Sequence, residues 1–127
     1  MSHTFSCSAF NGNISQWNIS KVENMNAMFC YSSFNGNISN WNVSNVKNLE
    51  KMFAYSKFNG QLNDWTPINA EFIVEIFTKC PSSIPYWATI KNLQDRNCAI
   101  AAYHQKQQLE KLLDRNDTNN TTLILKI

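Results

Sequence analysis

The chain predicts an α/β solenoid, with one short strand and one short helix in each 24-residue rung and a capping helix at the C-terminal end. Three observations carry that expectation. Marker residues recur without slippage: Phe5, Phe29, Phe53 and Phe77; Phe10, Phe34 and Phe58; Gly12, Gly36 and Gly60; Trp17, Trp41 and Trp65. A constant period in this range is the mark of stacked repeats, each too short to enclose a core alone. Asn-Gly pairs punctuate each unit, and each pair is followed by β-branched and aromatic residues and then by apolar residues at helical spacing.

Each rung is predicted to begin at a tight corner, Asn11-Gly12, Asn35-Gly36 or Asn59-Gly60, because both residue types tolerate positive φ. Residues 14–19 then suit a short strand that stacks in parallel on residues 38–43. Ser20 and Glu23 form a capping box, and Val22, Met25, Met28 and Phe29 supply one face of a short helix. Val46, Leu49, Met52 and Phe53 repeat that face, with Lys47 in place of the capping Glu. In the third copy Ile73, Ile76 and Phe77 hold the stripe after Thr66-Pro67. Stacked Phe, Trp and Met are read as core rather than as an aromatic ligand platform. Asn18 and Asn42 are candidates for a stacked side-chain ladder, with simple solvent exposure as the alternative.

The repeat occupies residues 1–80, about three rungs starting partway through one. Residues 81–127 belong to the same structural domain. Pro81, Pro85 and Trp87 break the period, and residues 95–113 read as one longer helix that covers the last rung. Residues 114–122 are polar, and residues 123–127 resemble a strand that could pair with a sheet edge or dock into an apolar groove. At the other end Phe5 and Phe10 belong to an uncovered layer, which predicts self-association or partner docking there.

The net charge is +2, charged residues make up 16% of the chain, and residues 1–80 carry five Lys against five acids. That balance argues against nucleic acid as a partner, since phosphate contacts need a basic stripe. No apolar run reaches membrane-spanning length and no export signal is visible, so the expected location is cytoplasmic. Asn-x-Ser/Thr sequons at Asn13, Asn18, Asn37, Asn42, Asn116, Asn119 and Asn120 argue against a eukaryotic secretory route. Cys7, Cys30, Cys80 and Cys98 lack metal-ligand spacing and read as free thiols; a Cys7–Cys30 bridge is conceivable but not predicted.

Catalysis requires an activated nucleophile, a carboxylate pair or metal ligands, and none is legible. No catalytic residue, metal or cofactor is therefore expected. The varying outward positions Gln16, Asn40 and Asp64, with Tyr31 and Tyr55 one rung apart, are the candidate protein-binding residues.

The phrase Phe-Asn-Gly-x-Ile-Ser-x-Trp-x-x-Ser-x-Val-x-x-Met/Leu-x-x-Met-Phe, repeated over residues 1–80, resembles the BspA-like leucine-rich-repeat family of bacterial surface proteins. The segment with Pro85-Tyr86-Trp87, Arg96, Ile100, Tyr103 and Leu109 looks like the closing segment of short members. The resemblance implies a leucine-rich-repeat-like solenoid used for protein contact and brings no catalytic residues. Family members usually carry Asp where Asn18 and Asn42 stand. Two functions remain open: a soluble bacterial or phage protein that occludes a partner such as a defence nuclease or toxin, and a structural, adhesin-type repeat fragment acting in display or self-assembly.

Overall fold

The computed structural model describes residues 1–115. The period of the sequence is realised in space, because backbone N–H groups donate to carbonyls one layer further along. His3, Phe5 and Cys7 donate to Asn26, Met28 and Cys30. Met25, Ala27, Phe29 and Tyr31 donate to Asn48, Glu50, Met52 and Ala54, and Leu49, Lys51, Phe53 and Tyr55 to Phe72, Val74, Ile76 and Thr78, all at 2.7–3.1 Å.

The predicted solenoid with a strand and a helix in every rung is not formed. Among the described residues the repeat holds only isolated parallel bridges, Asn24 with Asn48 and Asn48 with Phe72, and the one α-helix lies outside it. The reason is an alternation of donors. Between the inter-layer bonds, Met28, Cys30 and Ser32 donate back three residues to Met25, Ala27 and Phe29. An α-helix needs every N–H for the carbonyl four residues back, and half of them are committed to the next layer.

The backbone also turns left-handed twice per layer, at His3 and Cys7, Ala27 and Tyr31, Lys51 and Tyr55, and Glu75 and Lys79, with φ between 52° and 60°. Such residues interrupt an extended strand as well as a helix, and each costs an L-residue about 1 kcal/mol. They persist where the surroundings over-determine the backbone, as the flanking inter-layer bonds do here. A run of overlapping four-residue turns points inward every three or four residues. Met25, Met28 and Phe29 are therefore all fully buried, as they would be on a helix face.

The glycines answer to a different constraint. None has positive φ. A Cβ on Gly12 would lie 2.7 Å from the ring of Phe10, and one on Gly36 would lie 2.8 Å from the ring of Phe34. Each glycine leaves room for the phenyl ring two residues before it.

Side chains stack in columns. Phe5, Phe29, Phe53 and Phe77 follow one another at 5.5–5.6 Å between ring centroids, and Phe10, Phe34 and Phe58 at 6.3 Å. Within layers Phe5 meets Phe10, Phe29 meets Phe34, and Phe53 meets Phe58 at 4.3–4.4 Å. Trp41 Nε1 donates to the Ile14 carbonyl and Trp65 Nε1 to that of Ile38, so each indole both fills its layer and ties it to the one before. Trp87 continues this arrangement: it stacks on Trp65 at 6.2 Å and donates to the Leu62 carbonyl. The segment that breaks the sequence period thus still supplies a ring to the last layer.

Trp87 is carried by a 3₁₀ turn, Tyr86–Thr89. Helix α1, Leu93–Arg115, follows and contains the predicted span. Asn92 caps it by accepting from the Asp95 N–H at 2.9 Å. Ile100 packs into the core, and the fully buried Arg96 donates to the carbonyls of Ala70, Ile90 and Lys91. One guanidinium fork so joins the last layer, the preceding loop and α1. The strand-like tail predicted at residues 123–127 lies outside the described residues.

Substitution separates the two backbone constraints. Gly36→Ala is expected to destabilise by about 1–3 kcal/mol, since the Phe34 ring must shift within a packed layer. Lys79→Gly, at an exposed left-handed position, is expected to leave stability unchanged or slightly raised. Urea denaturation of both variants checks this; equal losses would contradict it.

Candidate functional site

Tyr31 and Tyr55 are the predicted site residues that the structure brings together. Their rings stand parallel within 2°, 4.7 Å apart, and are 58% and 48% exposed. Both occupy the second left-handed position of their layers, and Cys7 and Lys79 occupy the same position in the layers on either side. The result is a surface column running Cys7, Tyr31, Tyr55, Lys79. Lys57 is exposed two residues beyond Tyr55, and its N–H is held by the Ser32 carbonyl at 3.0 Å. Among the described residues Lys57 and Lys79 have no acidic partner, whereas Lys51 pairs with Glu75 at 3.9 Å and Lys47 with Glu23 at 3.4 Å. Sequence reading missed both free lysines, although the 24-residue step from Tyr55 to Lys79 was a usable signal.

The other predicted binding residues lie apart from this pair. Gln16 and Asn40 are exposed. Asp64 lines a shallow groove of about 490 Å³ together with Asn35, Gly36, Asn37, Ser39, Asn59, Gly60 and Gln61, and neither tyrosine borders it. A similar groove one layer back is bordered by Asn11, Gly12, Asn13 and Ser15. An asparagine ladder runs along these grooves: Asn11 Oδ1 accepts from the Asn35 N–H and Asn35 Oδ1 from the Asn59 N–H, both at 2.8 Å. The ladder is therefore not at Asn18 and Asn42. Those two close local turns instead, by accepting from the N–H and hydroxyl groups of Ser20 and Ser44.

Asp64 also faces the cap. It lies close enough to Tyr103 of α1 to act on its phenol, which is pushed up by burial first and by this carboxylate second. Tyr103 stacks on Tyr86 at 4.5 Å, and the buried Tyr86 hydroxyl has no hydrogen-bond partner among the described residues. Burial, then Tyr103 and Asp64, raise the Tyr86 phenol from 10.0 to about 12.

Phe5 and Phe10 lie half-buried in the first layer beside Trp17, which is 45% exposed where Trp41 is 4% and Trp65 1% exposed. Cys7, Cys30, Cys80 and Cys98 are free thiols, and burial pushes the Cys30 thiol up. Among the described residues no group of three or more His, Cys, Asp or Glu could hold a metal ion, and no helix is long and apolar enough to cross a membrane.

These observations define a layered repeat protein built on a 24-residue unit and closed by a helix. The chain belongs to the family described as Mycoplasma protein of unknown function, DUF285, whose profile matches residues 1–112 and so takes in both the repeat and the cap. Comparison with curated proteins and with solved structures returned no match.

The cap cluster makes stability depend on alkaline pH. Tyrosine in the unfolded chain ionises near pH 10 and Tyr86 in the fold only near 12. The folded state is therefore disfavoured as pH rises between those values, and its full stability is present below pH 10. Urea midpoints should fall from pH 10 to 12, and Tyr86→Phe should flatten the fall; an unchanged slope in that variant would count against the assignment.

Proposed function

We propose that this protein is a non-catalytic protein-binding module and that the Tyr31–Tyr55 column is its contact face. The observation that carries this reading is the exposed, parallel tyrosine pair. Tyrosine supplies a large contact area at low entropic cost and is enriched at binding hot spots. Here both rings are held on a backbone fixed by inter-layer bonds, so little freedom remains to be lost on binding. The preferred version is a bacterial or phage protein that acts by covering a partner's working surface, such as that of a defence nuclease or toxin.

The Phe-Asn-Gly-x-Ile-Ser-x-Trp phrase supports a finer kinship with BspA-like repeat proteins, which this reading adopts for the sequence pattern only. Four free thiols, and sequon asparagines whose side chains are occupied in turns, favour a reducing compartment such as the cytoplasm.

Affinity capture with the intact chain in its native host is expected to recover one stoichiometric protein. Tyr31→Ala/Tyr55→Ala should weaken that capture about thirtyfold, the size of a hot-spot loss. Capture that is indifferent to both tyrosines would refute the contact face.

A second reading, self-assembly or display, draws on the exposed Trp17 beside Phe5 and Phe10. It expects a concentration-dependent sedimentation coefficient, abolished by Phe10→Glu. A concentration-independent monomer would remove it.

A further inference from the structure

The tyrosine column ends in a short side chain, Cys7, on one side and in the exposed Lys79 on the other. Cys7, Tyr31, Tyr55 and Lys79 share one backbone conformation, with φ of 56°, 56°, 58° and 52°. The layers carrying them are joined by equivalent bonds, Cys7 N–H to the Cys30 carbonyl, Tyr31 N–H to that of Ala54 and Tyr55 N–H to that of Thr78. A side chain at position 7 therefore starts where a third ring of the column would start. Cysteine is too short to fill that seat, so the outer face of Tyr31 is left open above Cys7. At the opposite end the exposed Lys79 stands one layer beyond Tyr55 and the exposed Lys57 two residues after it in the chain, and among the described residues neither has an ion-pair partner.

We infer that this surface takes an acidic, extended polypeptide segment carrying one aromatic side chain. The aromatic ring stacks on Tyr31 over Cys7 and continues the 4.7 Å column, while carboxylates meet Lys57 and Lys79. This rests on the protein-binding reading and gives its partner a chemistry. Three layer steps of about 4.8 Å separate the seat from Lys79, about 15 Å in all, which roughly five extended residues span. A basic segment would be repelled at the Lys57–Lys79 end. Single-stranded nucleic acid would find an aromatic platform, but it also needs a positive track along its backbone, and the five lysines of residues 1–80 are balanced by five acids.

The test uses the full chain and synthetic peptides: Trp-Ser-Gly-Glu-Glu in both sequence orders, the same peptides with Ala for Trp or Lys for Glu, and a twelve-nucleotide thymidine oligomer. Binding of the acidic Trp peptide in one order should perturb the amide resonances of Cys7, Tyr31, Tyr55, Lys57 and Lys79. It should weaken about tenfold in Lys57→Glu/Lys79→Glu, and also weaken with added salt. Cys7→Tyr, which fills the seat with a residue the column already accommodates, should remove the advantage of Trp over Ala and spare the charge effect.

The inference is overturned by absence of binding at millimolar peptide, by perturbations elsewhere on the surface, by tighter binding of the Lys peptide or the oligonucleotide, or by indifference to these variants. The two readings fail separately. If the Tyr31→Ala/Tyr55→Ala chain loses its host partner while the acidic peptide fails, the contact face stands and the chemistry assigned here falls. If host capture ignores the tyrosines, the binding reading falls whatever the peptide does.

Discussion

The constraint on which this molecule depends is the division of backbone donors between two directions. In residues 25–32 Met25, Ala27, Phe29 and Tyr31 send their N–H groups to the next layer, and Met28, Cys30 and Ser32 send theirs back along the chain. Buried backbone donors must be satisfied one way or the other. This pattern satisfies them by sharing, and so it precludes both a helix ladder and a continuous strand. The left-handed residues follow from it, since two tight turns per layer bring alternate N–H groups to the same side.

Fixing the backbone so densely sets the side chains in register. Identical positions repeat directly above one another, and the aromatic columns become continuous through the body. The same register works on the outside, where it produces the parallel tyrosines, and at the glycines, where it demands an absent side chain. Polar residues take part as well. Asn45 Nδ2 donates to the Ser20 carbonyl at 2.6 Å and Asn69 Nδ2 to that of Ser44 at 2.7 Å, joining layers at points where no backbone N–H does. That is a physical account of why Asn and Ser, rather than charges, supply much of the polarity of this chain.

Legibility varied with the kind of information a residue carries. The Phe and Trp columns, the burial of Met25, Met28 and Phe29, and the exposure and pairing of Tyr31 and Tyr55 could be read from spacing, because translation along the stack preserves it. Residues 22–29 were misread as a helix because overlapping turns and a helix turn their apolar residues inward at the same spacing. Position alone does not say where an N–H is donated. The asparagine ladder was placed at Asn18 and Asn42 instead of Asn11, Asn35 and Asn59 for a related reason: every layer contains several asparagines, and only the local turn decides whether a side chain closes on its own segment or reaches the next. Of the candidate contact residues, Asp64 was legible as outward-facing, but its engagement by Tyr103 depends on where α1 docks.

Residue type at a fixed interval was enough to settle the period, the stacking columns, the apolar core positions and the presence of a C-terminal helix. Only packing decided the backbone path within a layer, the insertion of Trp87 as a late member of the indole series, and the anchoring of α1 through Arg96 to three carbonyls. These features depend on contacts between residues more than twenty positions apart or on hydrogen bonds whose direction no side chain announces. They exist only once one layer has another to lie against.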